Sequence, residues 1–219
     1  DAGIKDIAGL KGKTLASQVE GSTADTVLKG VVFKQAGLKP EDVNVMGVSP
    51  QVAVQSLVAK RVDAAFLFEP QASIAKLIAP VKQIYEVGEV WPFPCMVVIT
   101  SGDTLKKRKD ALWKSLDAQK EAIDMLQKKP GEAATYIARE FIAEPTLKTL
   151  KRGELSREAV ITEAIKTQVF SPAVTPKAQA RMREIAGIMQ AQGGLKTRDG
   201  KPFDVDQLLD LSWQKARKL

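Results

Sequence analysis

Residues 11–48 read KGKTLASQVEGSTADTVLKGVVFKQAGLKPEDVNVMGV, and DAAFLFEP follows at residues 63–70. The first stretch predicts a strand, a tight turn, a helix and a second strand. Gly21, Ser22 and Thr23 stand where the first strand gives way to the helix. The first backbone N–H groups of a helix have no intrahelical acceptor, and the helix dipole is positive there. The turn therefore predicts a site for an anion.

Outward from this stretch, short apolar runs alternate with helical patterns up to about residue 100. Strands are predicted over residues 14–18, 43–47, 64–68, 83–87 and 96–100. Helices are predicted over residues 23–36, 51–59, 71–78, 103–128, 131–141, 156–168, 175–192 and 204–216. Such alternation with short links is typical of an α/β layer with a largely parallel sheet. The strand at 96–100 and the later helices have no sheet of their own, so they predict the return half of another lobe.

Composition excludes several kinds of catalytic site. The chain has no histidine, which excludes Ser-His-Asp and Cys-His nucleophilic sites, histidine general bases and histidine-containing zinc sites. The single cysteine, Cys95, lies in the apolar run PFPCMVVIT and is predicted to be a buried, inert thiol. We therefore expect no catalytic residue, no metal site and no cofactor.

The net charge of +7 raises the question of an anionic partner. The basic residues are spread along the chain, and the densest run, at 106–109, begins a long polar helix without interleaved aromatic residues. This pattern favours a solvated face over a nucleic-acid surface. No apolar run approaches the length needed to cross a bilayer, so no direct membrane insertion is expected. No basic-then-apolar leader stands at residue 1, and a removed leader is left open.

Five short motifs lie along the first part of the chain: GLKGK at 9–13, GST at 21–23, GL at 37–38 with DV at 42–43, RVDA at 61–64 and EP at 69–70. Each motif alone is a weak signal. Their order and spacing together resemble those of periplasmic solute-binding proteins of ABC importers, in the nitrate/sulfonate/taurine-type group often called SsuA/THI5-like. The likeness covers roughly residues 4–100, and the helical remainder fits by layout only.

The resemblance implies a type-2 periplasmic-binding fold, with two lobes joined by a hinge. It assigns residues 1–96 to a complete second lobe, and 97–219 to the return strand and helices of the first lobe. Family members carry a first-lobe segment of about 90 residues upstream, so the first lobe is only partly represented here. A signal peptide or lipid anchor would stand upstream as well.

The function implied by the resemblance is the substrate-binding component of an ABC importer. It would capture a small organic anion, sulfonate- or carboxylate-like, by hinge closure and deliver it to the membrane subunits of a permease. The implied protein is a monomer. It is not an enzyme, since the related thiamine-pyrimidine synthases use histidine and this chain has none. It would be periplasmic, or extracytoplasmic and lipid-anchored in a Gram-positive source. The alternative is the ligand-sensing effector domain of a LysR-type transcription regulator.

Two interpretations of the GST turn stay open. Ser22 and Asp25 match a capping box with Asp in place of Glu, which needs no ligand. The hydroxyl and free N–H groups of Ser22, Thr23 and Ala24, beside Gly21, would also hold an oxyanion. The carboxylate of Asp25 argues against a strongly anionic ligand unless its side chain turns towards the backbone of Ser22.

Three further residues complete the candidate ligand site. Ser49 precedes Pro50 at the start of a helix, where it caps the helix or contacts a ligand at the carboxyl end of a strand. Glu69, before Pro70, either accepts a hydrogen bond from a ligand or is an exposed turn carboxylate. Trp91, in a proline-flanked loop, either covers an apolar part of the ligand or lines the hinge.

Overall fold

A three-stranded parallel sheet forms the first part of the chain in the computed structural model, which describes residues 3–198 and 200–219. Residues 1, 2 and 199, which the two predicted lobes include, lie outside that description. The strands are β1 (Thr14–Ser17), β2 (Asn44–Gly47) and β3 (Ala64–Ala65), in the order β2-β1-β3. In the central strand, Leu15 pairs with Val45 on one side and with Ala64 on the other. The predicted α/β layer with a parallel sheet is therefore confirmed.

Helices cover the two faces of this sheet. Helix α1 (Thr23–Val27), continued by a π-helical turn (Leu28–Phe33), packs on the face that carries Leu15. Helix α2 (Pro50–Val58) packs on the face that carries Ala16. Because the connections after β1 and β2 leave towards opposite faces, the carboxyl ends of the strands lie at a topological switch point, where open α/β sheets bind their ligands.

The helical part of the chain has its own apolar core, formed by α3 (Gln71–Ile78), α7 (Pro130–Phe141) and α8 (Arg157–Lys166). Its smallest residues, Ala133, Ala134 and Ala138, are buried in α7 and allow close approach of α8. No helix among the described residues has the length and apolar character needed to cross a membrane. The remaining helices are α4 (Val87–Val90), α5 (Gly102–Lys107), α6 (Lys109–Lys128), α9 (Pro176–Ala191) and α10 (Ser212–Ala216).

Helix α9 returns to pack on the first core. Gly30, in the π-helical turn, lies so close to Ile188 that a Cβ added to Gly30 would be 2.3 Å from Cγ2 of Ile188. One turn further, Nε2 of Gln192 donates to the carbonyl of Thr26 at 3.4 Å. These contacts join the C-terminal helices to the helix that follows the GST turn.

Two predicted strands are wrong. Residues 83–87 form no strand and run into α4, and residues 96–100 pair with no strand of the described chain. The apolar side chains of 96–100 face solvent, with Met96 and Ile99 each 88% exposed. Cys95 is exposed and not buried as predicted. An apolar run becomes a strand only where a second strand supplies ladder partners, and that condition is not met at these positions.

The sequence also missed one element and misjudged others. Strands β4 (Thr146–Lys148) and β5 (Glu154–Ser156) form an antiparallel hairpin that was not predicted. The helix expected over 103–128 is interrupted at Arg108, whose backbone leaves the helical region. The helix expected over 204–216 is a 3₁₀ turn at Val205–Leu208 followed by the short α10.

Asp117 of α6 links this long helix to α10 by hydrogen bonds. Its carboxylate accepts two hydrogen bonds from Arg217, at 2.8 and 2.6 Å, and one from the indole nitrogen of Trp213 at 3.0 Å. The Arg217 hydrogen bond, followed by that of Trp213, lowers the pKa of Asp117 to about 2. The side chain of Trp213 is itself buried.

We expect Asp117→Asn to lower the melting temperature at pH 7 and to have progressively less effect in acid. The folded-state pKa lies below the unfolded value of about 3.9. The stabilisation is therefore present above about pH 4 and is lost as pH falls towards 2. Calorimetric scans between pH 7 and 2 measure the difference in melting temperature between the variant and the wild type. Asp103→Asn, which breaks an exposed ion pair with Lys107, is the matched control and should change little. An unchanging difference between Asp117→Asn and the wild type across this range would contradict the pKa assignment.

Candidate functional site

The candidate site lies at the carboxyl edge of the parallel sheet. Three connections begin there: residues 18–22 after β1, 48–49 after β2 and 66–70 after β3. The first two are joined directly, because the Val48 amide donates to the Ser17 carbonyl at 2.8 Å. The strands are parallel, so their ends bring the predicted Gly21, Ser22, Thr23, Ala24, Ser49 and Glu69 to the same edge.

The GST turn is a helix start with partly unused hydrogen-bonding capacity. The Ser22 side chain accepts from the Asp25 amide at 3.2 Å, as the predicted cap requires. The amides of Thr23 and Ala24 lie in the first helical turn and donate to no acceptor among the described residues. Thr23 is exposed, whereas Ala24 is buried. The turn therefore keeps two free backbone donors and the hydroxyl protons of Ser22 and Thr23.

The expectation of a free N–H group at Ser22 is wrong, and the amide of Gly21 is engaged as well. The Gly21 amide donates to Oδ2 of Asp25 at 3.0 Å, and the Ser22 amide donates to the Val19 carbonyl. The other oxygen of Asp25 accepts from Nζ of Lys29 at 2.7 Å, and Asp25 is only 5% exposed. The Asp25 side chain thus turns to the backbone of Gly21, one residue earlier than the capping box predicts. Gly21 has a positive φ of 78°, which favours glycine and lets the chain reverse here.

Ser17, the last residue of β1, is a functional candidate that sequence reasoning missed. Its hydroxyl is buried and has no hydrogen-bond partner among the described residues. Ser17 shares a face with Leu15, which packs under α1 and the π-helical turn, so it lies beneath the start of α1. Its strand neighbours on this face are Gly47, which has no side chain, and the half-buried Phe66. The sequence signal was a polar residue at a buried position of the central strand.

Ser49 and Glu69 both have local hydrogen bonds. The hydroxyl of Ser49 accepts from the Val52 amide at 3.4 Å and caps α2, as the capping interpretation predicts. Oε2 of Glu69 accepts from the Ser73 amide at 3.0 Å at the start of α3. Ser49 is exposed, and its O–H remains able to donate, whereas one oxygen of Glu69 is already occupied. Their predicted contacts with a ligand stay predictions.

Trp91 is enclosed by protein in this structure. Its side chain is 7% exposed and belongs to the first core, where it lies 5.6 Å from the ring of Phe93. The guanidinium of Arg181 covers the indole at 4.5 Å, and its Nε donates to the Pro92 carbonyl at 3.2 Å. This enclosure leaves little of the indole open to a ligand, and the interpretation that Trp91 lines the hinge stays a prediction.

A groove of about 380 Å³ opens beside the GST turn. Its wall combines polar and charged residues, among them Asp25 and Lys29, with the apolar Val19 and Val45. On the other side of β1, Phe66 and Phe68 meet edge to face at 5.7 Å, at the end of β3. No cluster of three or more acidic or cysteine side chains in the described part of the chain is arranged to hold a metal ion.

A protein-family model described as NMT1/THI5 like matches residues 1–133. This match includes the whole parallel sheet and all of the candidate residues at its carboxyl edge. No curated protein matches the chain.

Solved structures of periplasmic binding proteins match the chain in fold. The aliphatic sulphonate binding protein SsuA of Escherichia coli matches with a TM-score of 0.72 at 19% identity, over 99% of this chain and 67% of its own. The alkanesulfonate-binding protein SsuA of Xanthomonas axonopodis pv. citri, bound to MOPS, matches at 0.67 and 18%, over 90% and 63%. A putative sulfonate ABC transporter protein SsuA of Methylobacillus flagellatus matches at 0.64 and 18%, over 99% and 64%.

At such identities the likeness shows the fold, and the predicted periplasmic-binding fold class is confirmed. All three matched proteins are named as binding proteins and none as an enzyme. The chain spans about two thirds of the length of these proteins, which agrees with the expectation that the first lobe is only partly represented.

Proposed function

The chain belongs to the NMT1/THI5-like family, and from this membership we propose that it forms part of the substrate-binding component of an ABC importer. The proposed ligand is a small organic anion with a sulfonate or carboxylate head. The names of the three matched structures, which are sulfonate-binding proteins, favour the sulfonate class. The LysR-type alternative gains no support from the family or from these structures.

The observation that carries the proposal is the unpaired hydroxyl of Ser17. A buried polar group without a partner costs about 1–3 kcal/mol, and such groups in folded proteins call for an explanation. Ser17 stands at the end of the central strand, beneath the start of α1, at the switch point of the sheet. A ligand oxygen that accepts from this hydroxyl would satisfy it.

Other donors converge on the same edge. The free amides of Thr23 and Ala24 and the hydroxyl protons of Ser22, Thr23 and Ser49 lie at the ends of β1 and β2. A sulfonate or carboxylate has only acceptor oxygens, so a set of neutral donors fits it. Glu69 remains a candidate acceptor for a donor group elsewhere on the ligand. Trp91 belongs to the apolar core.

The proposed mechanism is capture by closure and involves no covalent chemistry. A ligand shifts a two-lobed protein towards its closed state when both lobes contact it only there. The edge described here supplies one half of those contacts. The complete protein would act outside the cytoplasmic membrane, as a periplasmic or lipid-anchored monomer, and would release the ligand to the membrane subunits of the permease.

We expect Ser17→Ala to weaken binding of MOPS or methanesulfonate about tenfold while raising stability by about 1 kcal/mol, because it removes an unpaired buried hydroxyl. The double variant Ser22→Ala/Thr23→Ala should also weaken binding, with a stability loss of about 1 kcal/mol from the lost cap. Titration calorimetry and urea unfolding of the complete protein measure both quantities.

Ser56→Ala is the matched control, because Ser56 is buried near the far end of α2, at the opposite edge of the sheet. Its affinity should equal that of the wild type. Equal affinity in Ser17→Ala and in the double variant would remove this edge from the ligand site. A wild-type protein that binds neither sulfonate nor carboxylate probes would overturn the proposed function itself.

A further inference from the structure

The buried ion pair beside the GST turn faces the donors of the proposed site. Asp25 is 5% exposed and is held by two contacts, the Gly21 amide at 3.0 Å and Nζ of Lys29 at 2.7 Å. We propose that Asp25 is a specificity-determining residue that selects singly charged oxyanions over doubly charged ones. The inference rests on the proposed function, since it concerns an anion held by the amides of Thr23 and Ala24.

The position of the carboxylate carries the inference. Asp25 lies in the same first helical turn as the free amides of Thr23 and Ala24, and it binds the residue that opens the turn. The start of a helix carries a partial positive charge of roughly half a unit. A full negative charge among these donors exceeds that partial charge, so the site has hydrogen-bond donors without a positive field.

Two neighbouring charges modify this field. The ammonium of Lys29, which lies on the next helical turn, contacts Oδ1 of Asp25 at 2.7 Å, whereas Oδ2 of Asp25 accepts from the Gly21 amide of the turn. Glu20 stands before the turn with its carboxylate 4.0 Å from Nζ of Lys29, and its side chain is 92% exposed. The three groups together carry one net negative charge. The positive member of these three groups, Lys29, is engaged by Asp25.

Discrimination follows from the charge of the ligand head. Neutral donors can donate a hydrogen bond to any of these oxygens, but the repulsion from a nearby carboxylate doubles when the ligand carries two charges instead of one. A specific site commonly rejects a competitor by such a repulsive element as well as by contacts to its own ligand. The arrangement therefore favours a sulfonate over the nearly isosteric sulfate.

The test uses three probes of almost the same shape and different charge: neutral dimethyl sulfone, methanesulfonate with one charge and sulfate with two. Titration calorimetry of the complete protein at neutral pH and low salt gives the three affinities. The wild type should bind methanesulfonate well and sulfate poorly. We expect Asp25→Asn to narrow the methanesulfonate-to-sulfate ratio by about tenfold. The Asn oxygen still accepts from the Gly21 amide, so the turn keeps its shape.

Asp42→Asn is the matched control. Asp42 has partners of the same kind as Asp25, a backbone amide at 2.8 Å and the ammonium of Lys11 at 3.2 Å. It precedes β2, however, at the opposite edge of the sheet. Its substitution should leave the ratio unchanged. Lys29→Gln provides a test of opposite sign, because it leaves the Asp25 charge without compensation and should widen the ratio.

The outcomes separate the two proposals. A narrower ratio in Asp25→Asn or a wider ratio in Lys29→Gln, with Asp42→Asn unchanged, supports the inference, and either variant suffices if the other fails to fold. Binding of methanesulfonate by the wild type with an unchanged ratio in the folded variants would overturn the role of Asp25 alone. Absence of binding of both anions by the wild type would overturn the proposed function.

Discussion

Phe33→Ala should lower the free energy of unfolding by about 3–5 kcal/mol, the cost of truncating a fully buried aromatic side chain. Phe33 has no exposed surface and is the largest of the fully buried side chains. It ends the π-helical turn and contributes to the core that joins this turn to β1. Domains of this kind are stable by about 5–15 kcal/mol, so the loss is a large fraction of the whole.

Chemical unfolding in urea, followed by circular dichroism, measures the change. Phe141→Ala is the control, because the Phe141 side chain is 44% exposed at the end of α7 and its truncation should cost far less. A loss in Phe33→Ala no larger than that in the control would mean that this core does not hold the sheet and α1 together.

The second large effect is expected from Gly30→Ala, at the contact between the π-helical turn and α9. Alanine is favoured over glycine in a helix by about 1 kcal/mol, so a substitution without contacts would stabilise the protein. Here the new Cβ would lie 2.3 Å from Cγ2 of Ile188, a β-branched side chain with little freedom to move. We expect a net loss of about 1–3 kcal/mol from the resulting overpacking.

A double-mutant cycle tests the proposed cause. Ile188→Ala removes the methyl group that clashes, so Gly30→Ala should cost at least about 1 kcal/mol less in that background. Gly187→Ala is the matched control in α9, since its added Cβ would have no neighbour within 4 Å. Additive effects of Gly30→Ala and Ile188→Ala would show that the two residues are not in contact in solution.

The sequence predicted the elements whose signals are local. Helix α3 begins and ends at its predicted residues, and the serine caps predicted at Ser22 and Ser49 are both present. Strands β1 and β2 lie within one residue of their predicted bounds. These features depend on side chain–backbone contacts within a few residues, which the sequence order contains.

The errors concern features that depend on distant residues. Residues 96–100 have strand-like composition, but no strand of the described residues lies beside them, and the π-helical turn at Leu28–Phe33 has no signature in its own sequence. In the site, the capping pattern predicted the Ser22–Asp25 bond, but the contacts of Gly21 and Lys29 with the two oxygens of Asp25 follow only from the folded arrangement. The unpaired state of Ser17 likewise follows from what surrounds it.

The exposed run at residues 95–100 makes the isolated chain prone to self-association. CMVVIT is six residues long, uncharged and rich in β-branched side chains, and it contains no proline. A segment of that kind, open to solvent, is the usual starting point for cross-β stacking between molecules. The isolated chain should therefore lose soluble protein to self-association as its concentration rises. A charge placed in the run, such as Val98→Lys, should reduce that loss.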